Sequence, residues 1–320
     1  MCFALFFLLL LNSLAQSAPA GLYAQATATM LARNFPSPRV DYLLVDIHSG
    51  QTIAERWPDA NKPVPVGSLL KPFVALAYSE LLPDSPEPSA SSPRSFPVVH
   101  CHGKSDGCWR AGGHGSLGLE AALAGSCNAY FLALARDLAA TRAMDGQVAG
   151  MAALQRVSAF YGLPSPPEFG TDAQLQRMPQ TLIGLDADWR VTPAALVHAY
   201  AVLAAQSRNK VVQRLLTGLK LAADRGGTAA KIGEHLGGVL AKTGTAPCVP
   251  ESDAPRCLAS GDGLVVAIFP AEEPKFLLLV RRRGTTGAVA AELAGKMLSR
   301  LEPFESGADG WPDTLRGETR

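Results

Sequence analysis

The stretch Val66–Phe73 reads VGSLLKPF and runs on into an apolar segment carrying Val74, Leu76, Ala77, Leu81 and Leu82. That spacing predicts a buried helix beginning at or just before Ser68. Residues three apart on a helix are surface neighbours, roughly 5–6 Å between Cβ atoms, so the Lys71 amine can reach the Ser68 hydroxyl. A serine hydroxyl is a weak nucleophile until a base takes its proton, and a lysine desolvated by an apolar helix face is neutral enough to do so. Such a Ser-x-x-Lys spacing is nevertheless expected about once by chance in a chain of this length. Ser207-Arg208-Asn209-Lys210 repeats it here. The pair therefore needs companions elsewhere in the chain.

Before the serine, Leu22–Ala32 has helical spacing, and Val40–Ile47 with Thr52–Arg56 predicts a β-hairpin around Ser49-Gly50. After it, the Pro- and Ser-rich run Pro83–Pro97 predicts loop, His100–Gly115 is rich in Cys and Gly, and Leu117–Ala124 predicts a short helix. Gly125-Ser126-Cys127-Asn128 interrupts before another apolar helix, Ala129–Leu138. A polar trio held between two helices is placed to point side chains into a cleft. Met151–Tyr161, Ala194–Ala205 behind Thr192-Pro193, and Val211–Ala223 predict further helices, with Leu163–Gly170 as loop. Beyond Gly226, the segments Gly238–Thr245, Leu264–Phe269 and Phe276–Arg283 predict strands, closed by an amphipathic helix over Ala288–Leu298. Strands at both ends with helices between predict an α+β fold. One antiparallel sheet is built from both ends of the chain and flanked by helices, with an all-helical lobe inserted.

The 320 residues suffice for one large domain or two smaller ones. With 29 Lys plus Arg against 28 Asp plus Glu, nothing in the charge points to nucleic acid or an anionic membrane surface. The body of the chain carries no internal repeat, heptad run or apolar stretch long enough to span a bilayer. Phe3–Leu11 is a short apolar core, followed by Ala18 and Ala20 at the spacing of a signal-peptidase site. Residues 1–20 are thus expected to be a signal peptide, sending the protein to the periplasm or cell envelope. No Lys or Arg precedes the apolar core, so retention as a membrane-associated N-terminus is the alternative. Residues 21–300 form the expected domain, and 301–320 a polar, disordered tail.

Cys2 falls in the signal segment, leaving Cys101, Cys108, Cys127, Cys248 and Cys257, an odd number. In an oxidising compartment Cys248 and Cys257 are expected to close their Pro/Ser/Asp loop as a disulfide. Cys101, Cys108, His114 and Cys127 suit zinc, which could brace the loop around Ser126. Their irregular spacing and the compartment favour instead a Cys101–Cys108 disulfide with Cys127 free and buried. His198, on an apolar helix, is expected in the core, and Arg281–Arg283 as a solvated strand end.

The remaining companion is Ala241-Lys242-Thr243-Gly244-Thr245, at the end of a predicted strand. Gly244 permits close approach of a ligand to the strand, and Lys242 with the Thr243 and Thr245 hydroxyls makes an edge suited to a carboxylate. Ser68–Lys71, Ser126–Asn128 and Lys242–Gly244, in that order, resemble the three motifs of the penicillin-recognising acyl-serine enzymes. The segment ALAGSCNAYFLALA around Ser126 is similar to the second-motif helix of high-molecular-weight penicillin-binding proteins. Gly184–Ala204, with Val191, Thr192, Pro193 and Tyr200, resembles the helix preceding their third motif. Gly227-Thr228-Ala229 and FPAEEPKF at Phe269–Phe276 match similar strings, so the resemblance runs from about residue 40 to residue 300.

The resemblance implies a β-lactamase/transpeptidase-like fold without a cofactor, acting as a D,D-transpeptidase on peptidoglycan stem peptides ending in D-Ala-D-Ala. Ser68 would be the nucleophile, Lys71 its base and Ser126 a proton relay. Asn128 would bind the substrate amide, Lys242, Thr243 and Thr245 its carboxylate, and the Ser68 and Thr245 N–H groups its oxyanion. β-Lactams would acylate Ser68. Departures are Ala241, where the family commonly has Gly, and the expectation of a solitary domain. That expectation leaves open a D,D-carboxypeptidase, a transpeptidase within a cell-wall enzyme complex, or a non-catalytic penicillin-binding sensor or scaffold. The glutamate-bearing loop of class A β-lactamases is not visible, and Asn128 stands where class D has valine. Both argue against efficient β-lactam hydrolysis.

Overall fold

The computed structural model describes residues 21–82, 95–141, 148–247 and 261–301. The expected signal peptide, the Cys248–Cys257 pair, most of the Pro83–Pro97 loop and the C-terminal tail lie outside them. In chain order the elements are helix α1 (Leu22–Asn34), strands β1 (Val40–Asp46), β2 (Thr52–Arg56) and β3 (Val64–Pro65), a 3-10 turn (Gly67–Leu70) and helix α2 (Lys71–Ser79). Then come β4 (Val99–Cys101), a 3-10 turn (Lys104–Asp106), β5 (Gly115–Leu117), α3 (Leu119–Ala124), α4 (Asn128–Ala140), α5 (Ala149–Phe160) and α6 (Asp172–Leu182). Finally β6 (Arg190–Val191), α7 (Pro193–Ala205), α8 (Lys210–Ala223), α9 (Ala230–Gly233), β7 (Leu240–Ala246), β8 (Asp262–Phe269), β9 (Phe276–Arg283) and α10 (Gly287–Leu301) complete the order.

The main sheet runs β2-β1-β9-β8-β7, every pair antiparallel, so the N-terminal hairpin pairs with the last strand, Val40 opposite Arg282 and Asp46 opposite Phe276. Period-two alternation feeds two cores. Leu264, Val266 and Ile268 of β8 and Leu277 and Leu279 of β9 face the helical lobe, while Val265, Ala267, Phe269, Leu278 and Val280 face the layer of α1, α9 and α10. Burial on both faces explains why these strands read as nearly continuous apolar runs. The lobe of α2 to α6 packs on itself, and α7 and α8 join it to the sheet.

Four local expectations are corrected. The segment carrying Ser68 enters through a 3-10 turn rather than directly as α-helix. No helix is expected over 171–182, yet α6 forms there behind a Thr171–Gln174 capping box and runs through Pro179. His198 faces solvent on α7. Arg281 is buried, 2.7 Å from Asp41 Oδ2 with its guanidinium 4.7 Å from the Trp57 ring centroid, because β1 puts a carboxylate directly opposite it.

Candidate active site

Ser68 sits in the 3-10 turn, half-buried, at the mouth of a cleft of about 540 Å³ between sheet and lobe. Two contacts fix this turn. From behind, the Tyr200 hydroxyl of α7 donates to Leu69 O at 2.9 Å. In front, Gly67 has φ +59 and lies so close to β7 that a Cβ there would stand 2.6 Å from Thr245 O. Gly244 is equally tight, its Cβ position being 2.6 Å from Val66 O. The two glycines let the Ser68 turn and β7 touch through backbone, which no larger side chain permits.

Ser126 links the other two motifs. It lies between α3 and α4 at φ +48, the only non-glycine residue with positive φ among the described residues. Holding an L-residue there costs about 1–2 kcal/mol, and such strain clusters at functional sites. Its Oγ accepts from Lys242 Nζ at 2.8 Å and lies 3.3 Å from Lys71 Nζ. Lys71 Nζ also donates to Ser126 O at 2.8 Å and Asn128 Oδ1 at 2.7 Å, and Asn128 Nδ2 donates to Gly107 O at 3.1 Å. The structure thus brings Lys71, Ser126, Asn128 and Lys242 into one network, with Ser68, Thr243, Gly244 and Thr245 on the wall of the same cleft. Ser68 itself makes no side-chain hydrogen bond among the described residues, so the expected Lys71–Ser68 hydrogen bond is not formed. Unliganded sites often hold such contacts long.

Both lysines are fully buried. Burial lowers the Lys71 amine to about 7, with the neighbouring Cys127 and Cys108 pulling weakly the other way. Lys242 is lowered as well, first by burial and then by the charge of Lys71. One hydroxyl between two amines does not favour two ammonium ions. A neutral Lys71 has two N–H donors, matched by Ser126 O and Asn128 Oδ1, and its lone pair is left to accept a proton.

Around this network the cleft is walled by Trp109 and Leu185, both solvent-exposed, and by Thr228, whose Oγ1 accepts from Thr243 Oγ1 at 2.8 Å. Thr245 Oγ1 accepts from Gly287 N at 2.9 Å, tying the third motif to the start of α10. No sequence pattern singled out Trp109 or Leu185. The decoy pair Ser207 and Lys210 is exposed on the turn between α7 and α8, outside the cleft.

The expected Cys101–Cys108 disulfide is not present. Cys101, Cys108 and Cys127 are all free and buried, and their sulfurs lie with a His114 nitrogen within 4.8 Å of one another. The pairing β4–β5 sets Cys101 opposite Gly115, so the chain returns His114 to Cys101 and makes a four-sided cluster rather than a pair.

A family model described as penicillin binding protein transpeptidase domain matches residues 96–299. No curated protein sequence matches the chain. Among solved structures, the chain resembles PBP2 of Helicobacter pylori in its complex with MreC at TM-score 0.65 and 18% identity, covering 88% of this chain and 63% of that one. It also resembles Pseudomonas aeruginosa PBP2 in complex with WCK 5153, at TM-score 0.62 and 16% identity over 90% of this chain and 74% of that one. Penicillin-binding protein 2B of Streptococcus pneumoniae strain R6 gives TM-score 0.61 and 14% identity, over 90% and 59% respectively. This chain therefore spans under two thirds of the H. pylori protein. The matched range includes Ser126–Asn128 and Lys242–Gly244, and the chain belongs to the penicillin-binding protein transpeptidase domain family.

Proposed function

We propose that this protein is a peptidoglycan D,D-transpeptidase working through an acyl-serine intermediate. The observation that carries the reading is the single Ser126 hydroxyl reached by both Lys71 and Lys242, 3.3 and 2.8 Å away, beside Ser68 in the cleft. Ser68 Oγ attacks the carbonyl of the penultimate D-alanine while its proton passes to neutral Lys71. The new C–O bond gives a tetrahedral oxyanion, held by the backbone N–H groups of Ser68 and Thr245. Collapse breaks the peptide C–N bond, and the proton moves from Lys71 through Ser126 to the departing D-alanine amine. An acceptor stem-peptide amine then attacks the ester and frees Ser68.

Substrate carboxylate at Lys242, Thr243 and Thr245 would favour the ammonium of Lys242, and that charge would disfavour a second one on Lys71. Carboxylate binding thereby readies the base. β-Lactams follow the same first step, with the expelled nitrogen still tethered to the acyl group. The sequence of residues 3–20 supports work outside the cytoplasmic membrane, and the MreC complex of the H. pylori relative supports a place in a cell-wall assembly.

The test is intact-mass spectrometry of the protein with benzylpenicillin over several hours, with Ser68→Ala alongside. A penicilloyl adduct on wild type alone supports the reading. Folded wild-type protein that gains no adduct overturns it. Release of D-alanine from a stem pentapeptide, with or without an acceptor amine, then distinguishes transfer from hydrolysis.

A further inference from the structure

We infer that Tyr200 is a positioning residue for Ser68, supplying the hydrogen-bond donor that Pro72 withholds from the turn on which Ser68 sits. The link to acylation rests on the function proposed above; the hydrogen bond does not.

The need for this donor is written in the chain. Helix α2 begins at Lys71 with Leu70 as its N-cap, so its ladder of bonds between residues four apart opens at the carbonyl of Leu70. The preceding 3-10 turn bonds residues three apart: Leu69 N donates to Val66 O at 3.4 Å, and Lys71 N donates to Ser68 O. By that pattern Leu69 O would accept from residue 72, which is proline and has no N–H. Leu69 O therefore falls in the joint between the two ladders. Leu69 is fully buried, out of reach of solvent, and an unpaired carbonyl there costs as much as a lost hydrogen bond. Tyr200, equally buried and 131 residues away in the chain, delivers its hydroxyl to that oxygen at 2.9 Å.

The same proline works against the shape of the turn. A residue before proline is steered away from the right-handed helical region, yet Lys71 occupies it at φ −54 and ψ −40. Gly67, just before Ser68, is at φ +59. Ser68 and Lys71 thus lie on a segment whose ends both resist its backbone path, and it is held from outside, by β7 in front and Tyr200 behind. Tyr200 is itself firmly placed. Its helix α7 is capped by Thr192, whose Oγ1 accepts from Ala195 N at 3.1 Å, and its ring meets Phe73 of α2 edge-on at 5.4 Å. One side chain grips the turn by its hydroxyl and the following helix by its ring. Tyr200 does not line the cleft, so it acts through the backbone that aims the Ser68 hydroxyl and N–H.

The experiment is a cycle of wild type, Tyr200→Phe, Pro72→Ala and the double variant, each labelled with fluorescent penicillin over a range of concentrations. Phenylalanine keeps the ring contact with Phe73 and removes the hydroxyl alone. Tyr200→Phe should acylate roughly tenfold or more slowly, as misplacement of the reacting atoms by about 1 Å would cause. The loss should lie in the limiting rate, with the half-saturating concentration within about twofold of wild type. Alanine at 72 returns an N–H three residues beyond Leu69 and frees Lys71 from the proline. In the Tyr200→Phe background it should bring the rate to within about threefold of Pro72→Ala alone, a rescue that a hydroxyl merely filling space would not show. Undiminished labelling by Tyr200→Phe, a loss confined to the half-saturating concentration, or a loss that Pro72→Ala leaves untouched overturns the assignment. Should Tyr200→Phe not fold, the double variant must fold and label, and its failure overturns the assignment as well. Thermal unfolding of the same proteins follows the hydrogen bond without activity. If none of them labels, yet Pro72→Ala offsets the stability lost in Tyr200→Phe, the acyl-serine reading falls and the anchor of the turn stands.

Discussion

Replacing Lys71 by Met should abolish acylation and change stability by an amount whose sign depends on pH. Burial lowers the Lys71 amine from 10.5 to about 7. At about 1.36 kcal/mol per decade, that opposes folding by about 5 kcal/mol at and below neutral pH. Methionine removes the charge at similar length, but it leaves Ser126 O and Asn128 Oδ1 without their donor, at about 1–3 kcal/mol each. Near pH 7 the variant should therefore lie from about 1 kcal/mol below to about 3 kcal/mol above wild type. Between about pH 7 and 10.5 the unfolded wild type keeps a proton that the folded state has released, so wild-type stability rises with pH, by up to about 1.36 kcal/mol per unit. The variant lacks this slope. Relative to wild type it should fall to a deficit of about 1–5 kcal/mol by pH 10. Denaturant titrations of both proteins from pH 6 to 10, beside penicillin labelling, measure this. A stability difference independent of pH would refute the buried, neutral Lys71, and undiminished labelling of the variant would remove it as the base.

With Lys71 near 7, the acylation rate of wild type should rise about tenfold from pH 6 to pH 8, tracking the neutral amine from about a tenth to about nine-tenths of the population; stopped-flow labelling with a fluorescent penicillin reads this, and a flat profile contradicts it. Gly67→Ala should lower both stability and acylation, since positive φ alone costs about 1–2 kcal/mol and the added Cβ meets Thr245 O at 2.6 Å. Gly50→Ala, also at positive φ but with nothing within 4 Å, should carry the strain alone and label normally; equal loss of labelling in the two would show that the contact between turn and strand is immaterial.

Legibility in the sequence followed the length scale of the interaction. The sheet was readable because β8 and β9 are buried on both faces and so spell continuous apolar runs, and the N-terminal hairpin because two short strand-like runs and the Ser49-Gly50 turn between them are local. Helix α6 went unread, although the Thr171–Gln174 capping box that starts it stands in the chain. The burial of Arg281 was hidden because its partner, Asp41, is at the other end of the chain and meets it only through the β1–β9 register. The cysteines were misread for the same reason. Spacing suggests pairs, but whether two thiols or four ligands meet depends on how β4 and β5 pair and where α4 delivers Cys127.

The site residues were legible as types and not as a network. Three short motifs specify two serines, two lysines and an amide, yet nothing in them announces that Ser126 is driven to φ +48, or that Lys71 turns from Ser68 toward Ser126 and Asn128. Both follow from the joint between lobe and sheet. Lys71 arrives on the first turn of α2 and Lys242 on β7, so their amines can share a hydroxyl only if the segment between α3 and α4 reaches into the gap. Burying two amines there opposes folding by several kcal/mol, and the strained serine adds about 1–2 more. A site assembled against its own stability must be held by its surroundings. The two apolar cores do this for α2 and β7, which are buried along almost their whole length. The segment around Ser126 has α3 and α4 behind it, Thr228 bonded to Ala124 O at its side, and in front the β4–β5 loop, where Cys101, Cys108 and His114 gather against Cys127.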